Sequence, residues 1–436
     1  MSSSRSPYRT HLAGELSPEL LGKRVRLAGW VEDLRPVGAL LFITLRDSSG
    51  RAQVVFRRAS TQPELFSLLE RLPRQSAVSV SGLVAPTKAK GLSVEVVGEA
   101  LELLGEARHP LPLDPTGRVP ASLDVRLDNR PLELRNPASS AIFRIRSCLL
   151  RIIREFLFEQ GFVEVNTPKI ISAGAEGGAT LFKVDYFGRP AYLAQSPQLY
   201  KEQLMLAFDK VFELAQYFRA EKSHTTRHLN EFTMLDVEMA FATEREVMEL
   251  CEELIERAVS DIWKLCAAEL KLLGLKRQEV NRPFPRYTYQ EVLEELRRRG
   301  VEAKEGEDLT DAQLKAFSKV ESGFYFIIDW PASLKPFYIE ADDPTGRSYS
   351  FDLQWGELEL ASGGRRVHRK ERLEKRIAEQ GLSPEAFAGH LAFFDYGMPP
   401  HAGMGFGFDR FLQRLVGRRN IREVVLYPRD RFRLIP

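Results

Sequence analysis

The sequence predicts an α+β protein in two parts: a small barrel of five short strands, then a larger domain in which long helices flank a mostly antiparallel sheet. Three observations carry this. Between residues 23 and 104, apolar and β-branched runs alternate with turn signals, and one helical stretch lies among them. A proline-rich segment then interrupts the pattern, and beyond residue 139 strands are grouped apart from strict alternation with helices. At 436 residues the chain also exceeds what one core commonly serves, so two domains or more are expected.

Residues 25–31 alternate, 41–46 form an apolar β-branched run, and 52–57 follow the turn Asp47-Ser48-Ser49-Gly50. Leu65, Leu68, Leu69 and Leu72 have helical spacing within 62–72, and strands are expected at 77–83 and 92–104. Three strands, a helix and two strands in so short a span suggest a five-stranded barrel of oligonucleotide-binding type, placed at residues 1–106. Residues 107–138 read as a hinge or linker, because 109–121 holds four prolines and few apolar residues. The second domain occupies 139–436. Its first helix shows an apolar face at Ile142, Ile145, Leu149, Ile152 and Ile153 and ends before Gly161. Strands are expected at 191–194, 210–219, 233–241, 324–329 and 348–355. A capping box from Thr243 to Glu246 opens a helix whose face at Val247, Leu250, Cys251, Leu254, Ala258 and Ile262 belongs to the core.

Composition excludes several classes. With 44% hydrophobic and 28% charged residues the chain is an ordinary globular one. A balance of 62 basic against 60 acidic residues gives +2, so any nucleic-acid surface must be a local patch. Three cysteines without metal-ligand spacing argue against a disulfide framework and fit a reducing cytoplasm. Residues 1–9 carry no apolar signal core, and no run of about 18 apolar residues exists to span a membrane.

The chemistry concentrates in four segments. Residues 218–232, Phe-Arg-Ala-Glu-Lys-Ser-His-Thr-Thr-Arg-His-Leu-Asn-Glu-Phe, read as a strand, a cationic loop and a return strand. Their arginines, histidine, carboxylate and phenyl ring suit a nucleoside triphosphate, although a solvated basic hairpin would read the same way in isolation. The glycine-rich run 403–410, ending in Asp409-Arg410 before a helix at 411–416, allows close backbone approach to phosphate. Residues 352–359 supply carboxylates, Asp352 and Glu359 among them, that suit magnesium held between phosphate oxygens. The run 161–168, closing on Pro168, reads as a helix end entering a strand.

In this order the segments resemble the three signature motifs of class II aminoacyl-tRNA synthetases, with Pro168 in motif 1, Arg219 to Phe232 in motif 2 and Arg410 in motif 3. More narrowly, the chain resembles aspartyl-tRNA synthetases of the archaeal and eukaryotic type over its whole length. The runs 172–178, 195–201 and 362–368, and the closing residues 428–436, carry that narrower resemblance.

The resemblance implies a division of labour. Arg219 would bridge the substrate carboxylate and the α-phosphate, with Glu221 on the adenine amino group and Phe232 stacked on the ring. Arg227, His228 and Arg410 would hold the outer phosphates, and Leu229 and Gly407 would complete the ATP site. Arg219, Glu221 and Arg410 are thus the catalytic candidates. Glu359 and Asp352, with Ser362, would hold Mg2+. Lys201 and Arg366 would select the aspartate side chain, since two cations at one end of a small pocket demand an anion. A surface pair is the bland alternative for them. Glu176, Gln198 and Asp236 would hold the α-ammonium group, with Ser362 and Arg219 also at the amino acid, and Glu176 lies on a glycine-rich stretch suited to a lid.

On the barrel, Phe42, Gln53 and Glu95 match positions that stack on and hydrogen-bond to anticodon bases, unless Phe42 is core. Lys88 and Lys90 suit phosphate. Glu32 and Pro86 fall where relatives read the third anticodon base. Glutamate at position 32 matches neither the tryptophan nor the histidine common there, which leaves tRNA choice open. Asp409 stands where glutamate is common before the motif 3 arginine.

The implied protein is a cytoplasmic homodimer that uses ATP to join L-aspartate to tRNA. The rivals are an asparaginyl synthetase of the same architecture, the stand-alone asparagine synthetase, which lacks the barrel, and a catalytically silent RNA-binding paralogue.

Overall fold

The computed structural model describes residues 6–89, 91–172 and 181–436. Two compact units result, residues 1–120 and 121–436.

In the first unit, strands β1 (Arg24–Val37), β2 (Leu40–Arg46), β3 (Arg51–Arg57), β4 (Ala77–Pro86) and β5 (Val94–Gly105) close in the order β1-β2-β3-β5-β4, with helix α1 (Pro63–Arg71) after β3. Closure uses one parallel pair, β3 with β5, among antiparallel neighbours. Alternation decides which side chains fill it: Leu41, Ile43 and Leu45 of β2 point inward with Val54, Phe56, Val78, Val80 and Val96. β1 runs six residues beyond the expected 25–31, through a bulge at Glu32 where its register on β2 shifts between Val31 and Asp33.

The second unit begins with α2 (Leu123–Asp128), α3 (Arg130–Glu133) and α4 (Pro137–Glu159). Asn136 caps α4 by accepting from the Ala138 amide, and Gly161 beyond its end takes φ +81°, a left-handed conformation that glycine adopts without strain. There follow β6 (Val163–Glu164), β7 (Ile170–Ile171), β8 (Lys183–Tyr186), β9 (Arg189–Leu193), α5 (Gln198–Gln203), β10 (Lys210–Phe218) and β11 (Glu231–Ala240). Next come α6 (Glu244–Leu265), α7 (Ala267–Leu272), β12 (Arg286–Thr288), α8 (Tyr289–Arg298), α9 (Asp311–Phe317) and β13 (Phe324–Ile328). The chain closes with β14 (Ala341–Asp342), β15 (Arg347–Ser348), β16 (Ser350–Trp355), β17 (Leu358–Arg365), α10 (Lys370–Glu379), α11 (Ala388–Leu391), β18 (His401–Phe406) and α12 (Phe408–Leu415).

Eight of these strands form one sheet, ordered β12-β13-β16-β17-β18-β11-β10-β6. It is antiparallel except at its two edges, where β12 joins β13 and β6 joins β10 in parallel. The apolar stripes of α4 and α6 share one core with this sheet. The Thr243–Glu246 capping box forms as expected. At the sheet's β6 end the buried carboxylate of Glu213 accepts from the Thr167 amide (2.9 Å), Lys169 (2.6 Å) and Tyr217 (2.8 Å), fixing the chain on either side of Pro168. All three cysteines are free thiols.

Several strands lie outside those expected from the sequence, among them β7, β8, β12, β14, β17 and β18; in β17 and β18 the glycines conceal the strand pattern. The glycines answer crowding rather than a turn. A Cβ on Gly403 would lie 2.2 Å from both Glu238 Oε2 and the Val237 carbonyl, and one on Gly363 would lie 2.6 Å from the Gly403 carbonyl. The helix after the glycine run also starts earlier than expected, at Phe408, which puts Arg410 in its first turn. Gly403→Ala should therefore destabilise the protein by about 1–3 kcal/mol through overpacking, read as a lower urea midpoint at unchanged slope.

Candidate active site

β10 and β11 pair without interruption from Lys210↔Met239 to Phe218↔Glu231, and the loop between them leaves the sheet at Arg219. Its ends are tied before any ligand arrives. The Arg219 amide donates to Asn230 O (2.9 Å), and Asn230 Nδ2 donates to the carbonyls of Arg219 (2.6 Å) and Glu221 (3.2 Å). The Asn230 amide in turn donates to Arg429 O (2.8 Å), so the C-terminal segment pins the loop. Buried backbone groups must be paired, and here their partners come from far along the chain.

On this hairpin the guanidinium of Arg219 stands 5.4 Å over the Phe232 ring. His228 Nε2 lies 3.8 Å from Glu221, and its Nδ1 bonds the Thr225 hydroxyl at 2.6 Å. Burial pushes the His228 imidazole below its ordinary pKa, with Glu221 opposing and Arg410 adding to the shift. Arg227 reaches Asp311 (3.2 Å) and the Glu357 carbonyl (3.4 Å). From α12, Arg410 reaches the Glu359 carbonyl (3.3 Å) and carboxylate (3.7 Å). Gly407, at the start of that helix, donates to Leu360 O (2.7 Å).

These side chains line one cavity of about 300 Å³. Of the residues the sequence nominated, it brings together Arg219, Glu221, Arg227, His228, Leu229, Phe232, Glu359, Gly407 and Arg410 with Gln198, Asp236, Ser362 and Arg366. Glu176 lies outside the described residues. Lys201 is not on the cavity wall. Its ammonium sits beneath, 3.0 Å from Asp236 and 3.4 Å from Glu238, and also donates to the carbonyls of Val237 (3.3 Å) and Met404 (3.2 Å). The sequence expectation that Lys201 and Arg366 aim jointly at one end thus meets a different geometry here, for a physical reason. A buried ammonium must be paired, and β11 supplies the anions. Arg366 does reach the wall, with its Nε 2.9 Å and Nη2 3.3 Å from Glu238 and its guanidinium 5.4 Å over Tyr338.

Asp352 likewise lies behind the wall. β16 and β17 place it opposite Ser362. Its Oδ2 holds Lys335 at 2.6 Å, while its buried Oδ1 has no hydrogen-bond partner. The Glu359 carboxylate remains 44% exposed, and crowding plus the neighbouring Asp352 charge raise its pKa. An oxygen that finds no partner among the described residues, beside a second carboxylate, fits a divalent cation, although no ready-made group of three or more metal ligands occurs among the described residues.

Asp409 turns out to be structural. It accepts from the Thr233 amide (2.7 Å) and is ion-paired with Arg146 of α4, whose guanidinium also bonds Thr233 Oγ1 (2.8 Å) and lies 4.9 Å over Phe408.

Sequence reasoning missed Glu238, Lys335 and Tyr338. Glu238 had a signal: Phe232, Met234, Asp236 and Glu238 alternate along β11 and so share one face. Lys335 and Tyr338 had none, since only the tertiary fold carries them to the cavity.

On the barrel, Phe42 is half-buried on the outer face, between the inward Leu41 and Ile43, with Arg35 5.6 Å over its ring. It does not belong to the barrel core. Gln53, opposite Thr44, donates to Glu95 at 2.6 Å, and Thr87 donates to the same oxygen at 2.7 Å. Pro86 pairs with Val94 at the end of β4. Glu32 is held by Arg51 (2.8 Å) and Arg46 (3.5 Å). Lys88 is described; Lys90 lies outside the described residues.

Residues 122–431 match the family model of tRNA synthetases class II (D, K and N), and residues 25–104 match that of the OB-fold nucleic acid binding domain. The chain is 44% identical to the aspartate–tRNA(Asp/Asn) ligase of Methanothermobacter thermautotrophicus, with 98% of each covered. It is 46% identical to the aspartate–tRNA(Asp) ligase of Pyrococcus horikoshii, over 98% of this chain and 100% of that one. Among solved structures, asparaginyl-tRNA synthetase from Pyrococcus horikoshii with asparaginyl-adenylate superposes at a TM-score of 0.92 and 34% identity, covering 98% of this chain and 99% of that one.

The Arg146–Asp409 pair predicts its own test. Asp409→Asn leaves a largely buried guanidinium without its anion and should cost about 3 kcal/mol, measured by urea unfolding.

Proposed function

Because the chain belongs to the class II tRNA synthetases of the D, K and N group, we propose that it is an aspartate–tRNA ligase charging tRNA(Asp), with tRNA(Asn), the second tRNA named for its Asp/Asn-type relatives, decided by the aminoacylation test below. The observation that carries the choice of amino acid is the guanidinium of Arg366, buried yet on the cavity wall, with the Lys201 ammonium one layer behind. Glu238 takes the Nε and Nη2 donors of that guanidinium, and a substrate carboxylate, which only accepts, suits its remaining N–H groups, whereas an amide can turn an NH2 group toward them.

The reaction follows from the cavity's chemistry. An oxygen of the aspartate α-carboxylate attacks the α-phosphorus of ATP, and the bond to pyrophosphate breaks as the C–O–P anhydride forms. A hydroxyl of the terminal tRNA adenosine then attacks the activated carbonyl, and AMP leaves. The nucleophile of the first step is already ionised, so positioning and charge stabilisation suffice. Arg219 bridges the carboxylate and α-phosphate and supports the charge that grows there. Glu221 accepts from the adenine amino group, Phe232 stacks on the ring, and Leu229 backs it. Arg227, His228 and Arg410 hold the outer phosphates beside Gly407. Gln198 and Asp236, together with Glu176, hold the α-ammonium group. Glu359 and Asp352, with Ser362, would hold Mg2+, which neutralises phosphate charge when bound.

For the barrel we assign Phe42, Gln53, Glu95, Glu32 and Pro86 to anticodon bases, with Lys88 and Lys90 on phosphate. The outward ring of Phe42 and the hydrogen-bonding pair Gln53–Glu95 support this, because splayed bases stack on aromatics and bond through their edges. Of the expected linker 107–138, residues 107–120 act as the connection, while 121–138 fold as α2, α3 and the start of α4 within the second unit. A homodimer about the Pro168 segment is supported by the exposed apolar side chains of Phe158, Val163 and Ile170 near it. No helix among the described residues is long and apolar enough to cross a membrane. The cytoplasm is the compartment that suits free thiols and tRNA.

ATP–pyrophosphate exchange should respond to aspartate and not to asparagine; the reverse would establish an asparagine enzyme. Arg219→Ala should lower exchange by about 10²–10³-fold, and unchanged exchange would contradict the site. Aminoacylation of separate aspartate and asparagine tRNA transcripts decides tRNA choice, with equal charging marking a relaxed enzyme.

A further inference from the structure

Behind the amino-acid end of the cavity lies a cluster that the reaction above does not touch. Glu202 stands on α5 one turn after Gln198, and it is buried together with His390 and His401. Its Oε1 accepts from Gln198 Nε2 at 2.6 Å. An ionised carboxylate only accepts, so this bond fixes which end of the Gln198 amide is nitrogen and turns the carboxamide oxygen away from Glu202. Gln198 itself lines the cavity.

The other oxygen, Oε2, faces two imidazoles, with His390 Nε2 at 3.6 Å and His401 Nε2 at 3.8 Å. The far nitrogen of each ring settles its proton. His401 Nδ1 is 2.8 Å from the Pro399 carbonyl, which accepts, so Nδ1 carries hydrogen. A neutral His401 would then turn a lone pair toward Glu202. The imidazolium instead presents N–H on both sides. His390 Nδ1 lies 3.1 Å from the amide nitrogen of Gln203, which donates, so its proton sits on Nε2 toward the carboxylate.

Charge balance points the same way. Asp236, Glu238 and Glu202 bring three buried negative charges against the two of Lys201 and Arg366, and one imidazolium makes the set neutral. His401 is faced by Glu202 from α5, Glu238 from β11, His390 from α11, and Arg366 and His368 from the segment after β17. Burial alone would lower its pKa, but the nearby carboxylates of Glu202 and Glu238 raise it above the ordinary value. For Glu202 burial opposes ionisation, yet the two imidazoles hold it well below the usual carboxylate range.

Resting on the reading of this cavity as the aspartate site, we propose that Glu202, held between His390 and His401, is a positioning residue. It orients the Gln198 carboxamide toward the substrate's ammonium group and makes aspartate binding depend on a charged His401. The sign follows from the raised pKa. His401 stays charged below it, and as pH rises through it Glu202 meets a lone pair, so the aspartate KM increases. Glu202→Gln keeps an acceptor for Gln198 but removes the anion that supports the imidazolium, and the same increase should begin at lower pH.

The test is ATP–pyrophosphate exchange with the full chain across pH, comparing wild type with Glu202→Gln, Glu202→Leu, Gln198→Ala and the double variant Gln198→Ala/Glu202→Leu. Glu202→Leu should raise the aspartate KM about tenfold while the ATP KM, which reports an intact fold, stays within about twofold. Glu202→Gln should bring the KM increase to lower pH by about one unit. The double variant should be no worse than Gln198→Ala, because Glu202 acts through that amide. Identical pH profiles for wild type and Glu202→Gln, or additive effects in the double variant, would overturn the proposal. A wild-type protein whose exchange ignores aspartate would overturn the aspartate reading itself, before any variant is compared.

Discussion

Lys201 and Arg366 carry positive charge into a part of the sheet where both are almost fully buried, and Asp236 and Glu238 of β11 answer them in alternation. Desolvating such groups costs several kcal/mol each, and only close, well-bonded opposite charges offset it. The requirement propagates outward. Glu238 can stand between both cations only because Gly403, opposite it on β18, has no side chain, and β17 fits alongside because Gly363 has none. The glycine-rich strands are thus a packing condition of the charge network. The network in turn presents one guanidinium, that of Arg366, to the cavity with its geometry already set.

The hairpin side of the cavity, where we place the phosphates, is held by a different device. The loop between β10 and β11 is long and polar, and left alone it would sample many conformations. Asn230 ties its two ends, the Arg429 carbonyl receives the Asn230 amide, and Asp409 of α12 holds the Thr233 amide while paired with Arg146 of α4. Ordering is thereby completed during folding, and for the proposed reaction, which needs no general base, such positioning is the source of rate. Arg130, buried on α3, extends the same logic by donating to the carbonyls of Arg422, Val425 and Leu426, which anchors the C-terminal segment that meets the loop.

The barrel shows how one periodicity serves two purposes. Inward residues of β2 and β3 fill the core, while Phe42, Thr44 and Gln53 on the opposite face are left for contact. The bulge at Glu32 interrupts that register, and Arg46 and Arg51 close on its largely covered carboxylate. A carboxylate tied to two arginines presents a different surface from an aromatic ring, so the role proposed for Glu32 rests on its own geometry.

Much was legible in the residues alone. Strand alternation, the leucine spacing of α1, the capping box of α6 and the proline-rich connection gave the α+β architecture, because each depends on local periodicity or local hydrogen bonding. The hairpin wall of the cavity was legible too, since Arg219 to Phe232 sit close together in sequence. What stayed hidden needed distant segments in contact. The burial of Lys201 beneath the wall, the pairing of Lys335 with Asp352, the structural use of Asp409 and the Glu202–His390–His401 cluster each join residues far apart in the chain. A sequence specifies which charges exist, whereas only the folded chain decides which of them lose water together, and that decides their partners.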